Sequence, residues 1–247
     1  MRLDYHAIMQ SDIVQFAIGK DQKRFWIHTA LSCSFPKGMF QSSILSKTDE
    51  VVFGRCCEFL YSGDYSVPLP ISNPSGGNGE QSRNNKEPSR ESIGRWDPMK
   101  LKENLFHPAK FPNTYVLLTE RFDQAILYES SKVLNADPEV NYAEVFLSHA
   151  EVYRFSYRTD WVSLCALSLN RLVHLLANFT LFEERTGDIV RLLKFVFEES
   201  EYMENMRDIL RDYAVWNVEI LMQDADFQEL LNRVPSLEKA IFHSMWK

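Results

Sequence analysis

The hydrophobic period of this chain changes within its first 65 residues. Phe16 and Ile18 alternate with Gln15 and Ala17, and Phe25 and Ile27 alternate with Trp26 and His28, so each segment can lay one face on a core as a strand. The polar run Gly19-Lys20-Asp21-Gln22-Lys23 between them predicts a hairpin turn. From Asp49 onward the period lengthens, because Val52, Cys56, Phe59 and Leu60 recur at helical spacing. Asp49 can cap that helix through its carboxylate, with Thr48 competing for the role, and Gly63, two residues past Tyr61, predicts a left-handed stop.

Periodicity lapses after Tyr65. Residues Ser66 to Pro112 hold seven of the ten prolines and four of the nine glycines, with few apolar positions before Ile93. Such a stretch cannot offset its ordering entropy by burial, which predicts a disordered insert at about 66–112 with a short ordered contact at Trp96 or at Leu105-Phe106. Val116-Leu117-Leu118, Phe122, Ala125, Ile126 and Glu129 then predict a short helix, and Asn135-Ala136-Asp137-Pro138 a turn. Tyr142, Val145, Phe146, His149, Ala150 and Tyr153 mark one strong helix, and Trp161, Leu164, Cys165, Leu172, Leu175 and Leu176 a second.

The remainder reads as helix throughout. Ile189, Leu192, Leu193 and Val196 form one stripe; Met206, Ile209, Leu210, Tyr213, Trp216 and Ile220 a second; Phe227, Leu230, Leu231 and Val234 a third, which Pro235 stops before Ser236 caps a last helix through Lys247. The stripes are too short and irregular for sustained heptads, so helix-on-helix packing is expected rather than a coiled coil. The fold class this predicts is α+β, mostly α: a small sheet with a helical cluster and a helical C-terminal extension.

Composition narrows the function by exclusion. With 247 residues, 45% of them hydrophobic and 25% charged, the chain can bury one substantial core or two small ones. The net charge is -7, and residues 180–247 carry fourteen acidic against eight basic side chains. The seven basic residues of the insert stand dispersed among five acidic ones. A nucleic-acid surface needs a denser array of cations, so direct nucleic-acid binding is disfavoured. Arg171 and several polar residues break the weakly charged stretch between Asp160 and Glu183, so no membrane span is expected. Met1 to His6 lacks the apolar run of a signal peptide, which points to an intracellular chain of the nucleus and/or cytoplasm and makes the sequon at Asn178-Phe179-Thr180 irrelevant.

Candidate chemistry is sparse. Cys33, Cys56, Cys57 and Cys165 form no C-x-x-C pair and have no matching histidine spacing, so free thiols in a reducing compartment are expected and no metal. Gly76-Gly77-Asn78-Gly79 has the glycine density of a phosphate cradle but neither the following lysine nor the strand before it. No nucleophile elbow, zinc-protease or dinucleotide motif occurs. The six histidines are scattered, and His149 shares a helix face with Tyr153 but not with Glu151, which favours a core or boundary histidine. The expectation is a non-catalytic protein without a cofactor.

One ordered set of residues goes further. Asp12-Ile13-Val14, Phe16 and Ile18, Phe25-Trp26-Ile27-His28, Leu31, Met39-Phe40, then Phe53, Phe59, Leu60, Tyr61 and Gly63 follow one another in a succession that resembles the BTB/POZ protein-interaction domain, most closely its fungal members. Val145 to Tyr153 is similar to the helix that follows the sheet in those proteins. The resemblance implies a domain over 11–178, interrupted by the insert, and a helical extension over 179–247. It implies protein partners, with homo- or heterodimerisation as the function and a substrate adaptor of a cullin-type ubiquitin ligase as the alternative. The candidate interface is Asp12, Phe16, Phe25, Trp26, His28, Thr29, Leu31, Met39 and Phe40; the family-type core is Ile18, Ile27, Phe53, Phe59, Leu60, Tyr61 and Gly63.

Two departures from the family pattern carry consequences. Thr29 stands where a basic residue usually follows the histidine, so Asp12 and His28 either meet a partner or serve locally, the aspartate as a cap and the histidine as filling. Only Gln41 to Val52 separates Phe40 from Phe53, which omits the third strand and the hydrophobic-x-Glu motif used to grip a cullin. A weak or inactive ligase adaptor is therefore expected. The shortened sheet is expected to expose an edge, open to pairing with another chain unless residues near Tyr115-Val116-Leu117-Leu118 cover it.

Overall fold

The computed structural model describes residues 4–40, 42–72, 137–200 and 203–245. They fall into two compact units, one drawn from residues 1–69 and 144–174, the other from 70–143 and 175–247. The architecture is mostly helical with small antiparallel sheets, an α+β arrangement. The expected helix over 115–129, and the expected contacts at Trp96 and Leu105-Phe106, lie outside the described residues.

In the first unit, helix α1 (Tyr5–Gln10) leads into a hairpin of β1 (Ile13–Ile18) and β2 (Lys23–His28). Phe16 stands opposite Phe25, Gln15 opposite Trp26 and Ile13 opposite His28. Gly19 and Gln22 take positive φ (74° and 53°) at the turn between the strands. Beyond the ladder, the Thr29 N–H donates to the Asp12 carbonyl at 2.7 Å, which carries the pairing one step past the strand ends. A two-stranded hairpin is marginal in water without a packing surface. Here Phe16, Ile18 and Ile27 are buried on the inward face.

That surface comes from helices α2 (Thr29–Ser32), α3 (Ser42–Leu45) and α4 (Glu50–Ser62), with a 3-10 turn over Lys37–Phe40. The Phe53 ring of α4 meets Phe25 edge-on at 4.9 Å and Phe16 at 6.0 Å. Phe35 meets Phe16 at 5.5 Å and the Trp161 indole at 5.5 Å, and Phe59 reaches the same indole at 5.6 Å. Edge-to-face contacts at these separations add about 0.5–1.5 kcal/mol each beyond area burial. The hairpin is thereby coupled to helices α5 (Ala143–Arg158) and α6 (Val162–Asn178), more than a hundred residues away in sequence. Gly38 marks one close approach, since a Cβ there would stand 3.1 Å from the Thr159 carbonyl oxygen.

Helix α4 has both expected ends. The Asp49 carboxylate accepts from the Val51 and Val52 N–H groups at 2.8 and 3.3 Å. Thr48 does not compete for the cap, because its hydroxyl donates to the Ile44 carbonyl at 2.8 Å and closes the preceding helix. Gly63 takes φ +80° and its N–H donates to the Phe59 carbonyl.

The first residues of the expected insert are described, and they are in contact with the fold. The Ser66 N–H donates to the Glu58 carboxylate at 2.6 Å. In the second unit Ile71–Ser72 (β3) pairs with Val140–Asn141 (β4). The Tyr142 N–H then donates to the buried Asp188 carboxylate at 2.8 Å, and the Tyr142 ring meets Phe179 at 5.5 Å. Asp188 belongs to α7 (Thr186–Lys194), whose Ile189, Leu192 and Leu193 are fully buried. A π-helical turn (Phe195–Glu199) follows, and Arg207 of α8 (Glu204–Trp216) donates to the carbonyls of Val196, Phe197 and Ser200 around it.

Two of the expected stripes continue as anticipated and one breaks. Met206, Ile209, Leu210 and Tyr213 are buried, but Trp216 is 39% exposed. Asn217 ends α8 by donating its side-chain amide to the Tyr213 carbonyl, so Ile220 belongs to a separate short helix, α9 (Val218–Leu221). Asp224 caps α10 (Ala225–Arg233) through the Asp226 and Phe227 N–H groups, and its other oxygen accepts from the Thr186 hydroxyl at 2.7 Å. Helix α10 stops as expected just before Pro235, with Val234 outside the helical region. Ser236 does not cap the last helix, because Pro235 is already the first residue of α11 (Pro235–Met245), where its missing N–H would have had no intrahelical partner.

No helix among the described residues is long and apolar enough to cross a membrane. The two ends of α4 give a direct test of the local rules. Asp49→Ala is expected to destabilise the chain by about 1 kcal/mol through the lost cap. Gly63→Ala, which meets no neighbour within 4 Å, is expected to lose about 1–2 kcal/mol from left-handed backbone strain alone. Urea unfolding midpoints of the two variants check both values; a neutral Gly63→Ala would contradict the strain argument.

Candidate interaction surface

The strand register sorts the sequence-predicted residues into two groups. Phe16, Leu31 and Met39 are buried, so these three offer no contact area to a partner. Phe25 is half-buried against Phe53, which removes it as a freely exposed anchor. The reason is the two-residue period: Phe16 and Phe25 are directly opposed on the face that packs on α4. The family-type core behaves similarly, with Ile18, Ile27, Phe53 and Leu60 buried, Phe59 and Tyr61 half-buried, and Gly63 exposed at the helix end.

The opposite face is open. Trp26 is 61% exposed, and so is Ile13, its diagonal neighbour across the ladder. Diagonal positions on one face lie close enough for aromatic and long side chains to form a continuous surface. Tyr5 and Met9 of α1, the helix that immediately precedes β1, are also exposed, as is Phe40. The Tyr5 hydroxyl donates to the Tyr61 carbonyl at 2.7 Å, which fastens α1 to α4 and sets the position of Met9. Ile13, Tyr5 and Met9 were absent from the sequence-based site. Ile13 stood out of phase with the core pattern, and that outward phase was the signal available.

Asp12 and His28 have local roles. The Asp12 carbonyl accepts the Thr29 N–H while its side chain is exposed, and the His28 ring Nδ1 shares a 2.8 Å hydrogen bond with the Tyr61 hydroxyl. The same hydroxyl lies 3.2 Å from the His28 backbone nitrogen, which donates to it. Tyr61 therefore holds the end of β2 on α4.

The strongly perturbed titratable groups are buried and structural. Tyr65 Oη and His149 Nδ1 share a 2.7 Å hydrogen bond. Arg171 donates to the Tyr65 carbonyl and to the Asp64 carboxylate, both at 2.6 Å, and its guanidinium lies 4.9 Å from the Tyr65 ring centre. Burial, assisted by the positive charges of Arg171 and Arg55, pushes His149 down to about 3. Burial also raises the Tyr65 phenol, and pushes the Cys57 and Cys165 thiols up to about 12 and about 11. Thiols held protonated in this way are poor nucleophiles. No group of three or more His, Cys, Asp or Glu among the described residues could hold a metal ion.

A scan against protein-family models, a search of curated proteins and a search of solved structures each return no match.

His149 makes the stability of the chain depend on pH. The folded state keeps the imidazole neutral down to about pH 3, whereas the unfolded chain takes up a proton near 6.5. Stability from this group is complete above the unfolded value and is lost as pH falls from there toward 3. Between pH 7.5 and 5 the loss amounts to roughly 2 kcal/mol. Urea midpoints across that range measure it, and His149→Gln is expected to flatten the slope; an equal slope in the variant would assign it to other groups.

Proposed function

We propose that this chain is a non-catalytic protein-interaction module of the BTB/POZ type that pairs with a second copy of itself through the outward face of its hairpin. The observation that carries the reading is the exposed pair Ile13 and Trp26 on a rigidly backed sheet face. A tryptophan on such a face supplies a large contact area with few torsions to immobilise, which is the usual character of an interface anchor. Exposed apolar residues grouped on one face mark association sites more often than singly scattered ones do.

The hairpin edges add to the reading. The small sheet ends at β1 and β2, and an edge strand offers a row of backbone donors and acceptors to another chain. Pairing across such an edge is held by main-chain hydrogen bonds and aligns side chains in register, and the apolar face beside it adds buried area. Because the contact is mainly apolar, association is expected to change little with salt, unlike a charge-driven contact.

Light scattering on the full chain across a tenfold concentration range is the direct test. A dimer is expected, with Trp26→Ser weakening association by at least about tenfold, the loss of one interface anchor. Ile13→Ser is expected to act in the same direction with a smaller effect. A folded wild-type chain that stays monomeric throughout would overturn the reading.

A further inference from the structure

The phase of the β1–β2 ladder decides which backbone groups of the hairpin are left over. The Thr29 N–H donates to the Asp12 carbonyl, and these two residues continue the register one step past the strand ends. Opposed residues in an antiparallel ladder alternate between pairs that exchange hydrogen bonds and pairs that do not. Val14 with Ile27, Phe16 with Phe25 and Ile18 with Lys23 are therefore the exchanging pairs, while Ile13, Gln15 and Ala17 turn their N–H and C=O groups away from β2. Two bonds at the strand ends agree with this phase. The Gly19 N–H leaves the hairpin for the Leu45 carbonyl at 2.9 Å, and the His28 N–H leaves it for the Tyr61 hydroxyl at 3.2 Å.

The two edges differ. On β2, Lys23 and Arg24 are charged and exposed, and Tyr61 occupies the His28 N–H. Helix α1 is fastened on that same side, because the Tyr5 hydroxyl donates to the Tyr61 carbonyl. On β1 the sequence is Ile-Val-Gln-Phe-Ala-Ile, and its register is uninterrupted. Edges are ordinarily blocked by a charge, a proline or a bulge, and β1 has none of them. Among the described residues nothing bonds the outward backbone groups of Ile13, Gln15 and Ala17. Ile13 and Gln15 are exposed and Ala17 is half-buried.

We propose that β1 pairs antiparallel with β1 of a second copy across a two-fold axis at Gln15, which joins two hairpins into one four-stranded sheet. This geometry rests on the self-association proposed above. A second copy is the occupant the edge selects, because one strand supplies both sides of a self-complementary ladder and is already ordered in each chain. Centring on Gln15 sets it against Gln15 of the second copy and sets Ile13 against Ala17, so every outward residue joins a pair that exchanges two hydrogen bonds. A shift of two residues in either direction loses a pair. It brings Ser11 or Gly19 into the ladder, and their N–H groups are already donated to the Ile8 and Leu45 carbonyls. Trp26 stands opposite Gln15 on the outward face, so the two indoles flank the Gln15 pair in one row across the sheet.

The test is disulfide cross-linking of the full chain in a Cys33→Ser background, which removes the exposed thiol, run beside light scattering. Exchanging pairs hold their Cα atoms about 5.5 Å apart, a separation a disulfide can span, so Gln15→Cys is expected to give a covalent dimer under mild oxidation. Ala17→Cys is expected to give none, because the two Ala17 positions stand roughly 13 Å apart at about 3.3 Å per residue. Gln15→Lys and Gln15→Glu, which alter an exposed side chain, are each expected to associate at least about threefold more weakly than the wild type, and their equimolar mixture to recover. A wild-type chain that stays monomeric overturns self-association and the ladder together. A wild-type dimer overturns the ladder alone if Gln15→Cys does not cross-link, if Ala17→Cys cross-links equally, if Gln15→Lys associates unchanged, or if the mixture fails to recover.

Discussion

The first unit depends on one packing problem: a hairpin of two six-residue strands has to be held by something other than further strands. Two strands alone do not bury enough surface to be stable in water. The solution is an aromatic cluster in which Phe53 touches Phe16, Phe25 and Phe35, and Trp161 touches Phe35 and Phe59. Rings interlocked at several angles fix the hairpin in position as well as in contact, because each edge-to-face pair has a preferred geometry. Helix α4 then needs well-defined ends, since its Phe53 must present itself at one height along the strands, and Asp49 and Gly63 supply them.

Buried polar groups do a second kind of joining. Tyr65 follows the end of α4, while His149 and Arg171 belong to α5 and α6, and the three meet through hydrogen bonds of 2.6 and 2.7 Å. A neutral imidazole is the form that suits this site, as two arginines and full burial disfavour its proton. The same logic recurs in the second unit, where the buried Asp188 carboxylate receives the Tyr142 N–H and raises its pKa through desolvation. In both places the polar residue anchors a segment entering from a distant part of the chain. Buried polar groups satisfied by hydrogen bonds in this way are the rule in protein cores.

The inward and outward faces of the hairpin divide support from contact. Phe16, Ile18 and Ile27 are buried on the inward face, whereas Ile13 and Trp26 face solvent. A partner meeting that face would find a preformed surface, which lowers the ordering cost of association.

Much of the local structure was legible in the sequence because it depends on neighbours in the chain. The alternation at residues 15–18 and 25–28 set the strands, Asp49 and Gly63 set the ends of α4, and the stripes of the C-terminal helices set their buried faces, all through short-range periodicity and capping. One failure is local: α8 ends at Asn217, whose side-chain amide donates to the Tyr213 carbonyl, and Trp216 at the end of the stripe is left exposed. The others follow from longer range. The pairing of Ile71–Ser72 with Val140–Asn141 and the 84-residue step from Tyr65 to His149 join positions that no periodicity relates. By itself the sequence determined the hairpin strands, the span and ends of α4, and the apolar faces of the longer helices, since those depend on local backbone geometry and residue type. Only the tertiary structure decided which faces meet and which stay open, because that choice rests on packing complementarity between segments far apart in the chain.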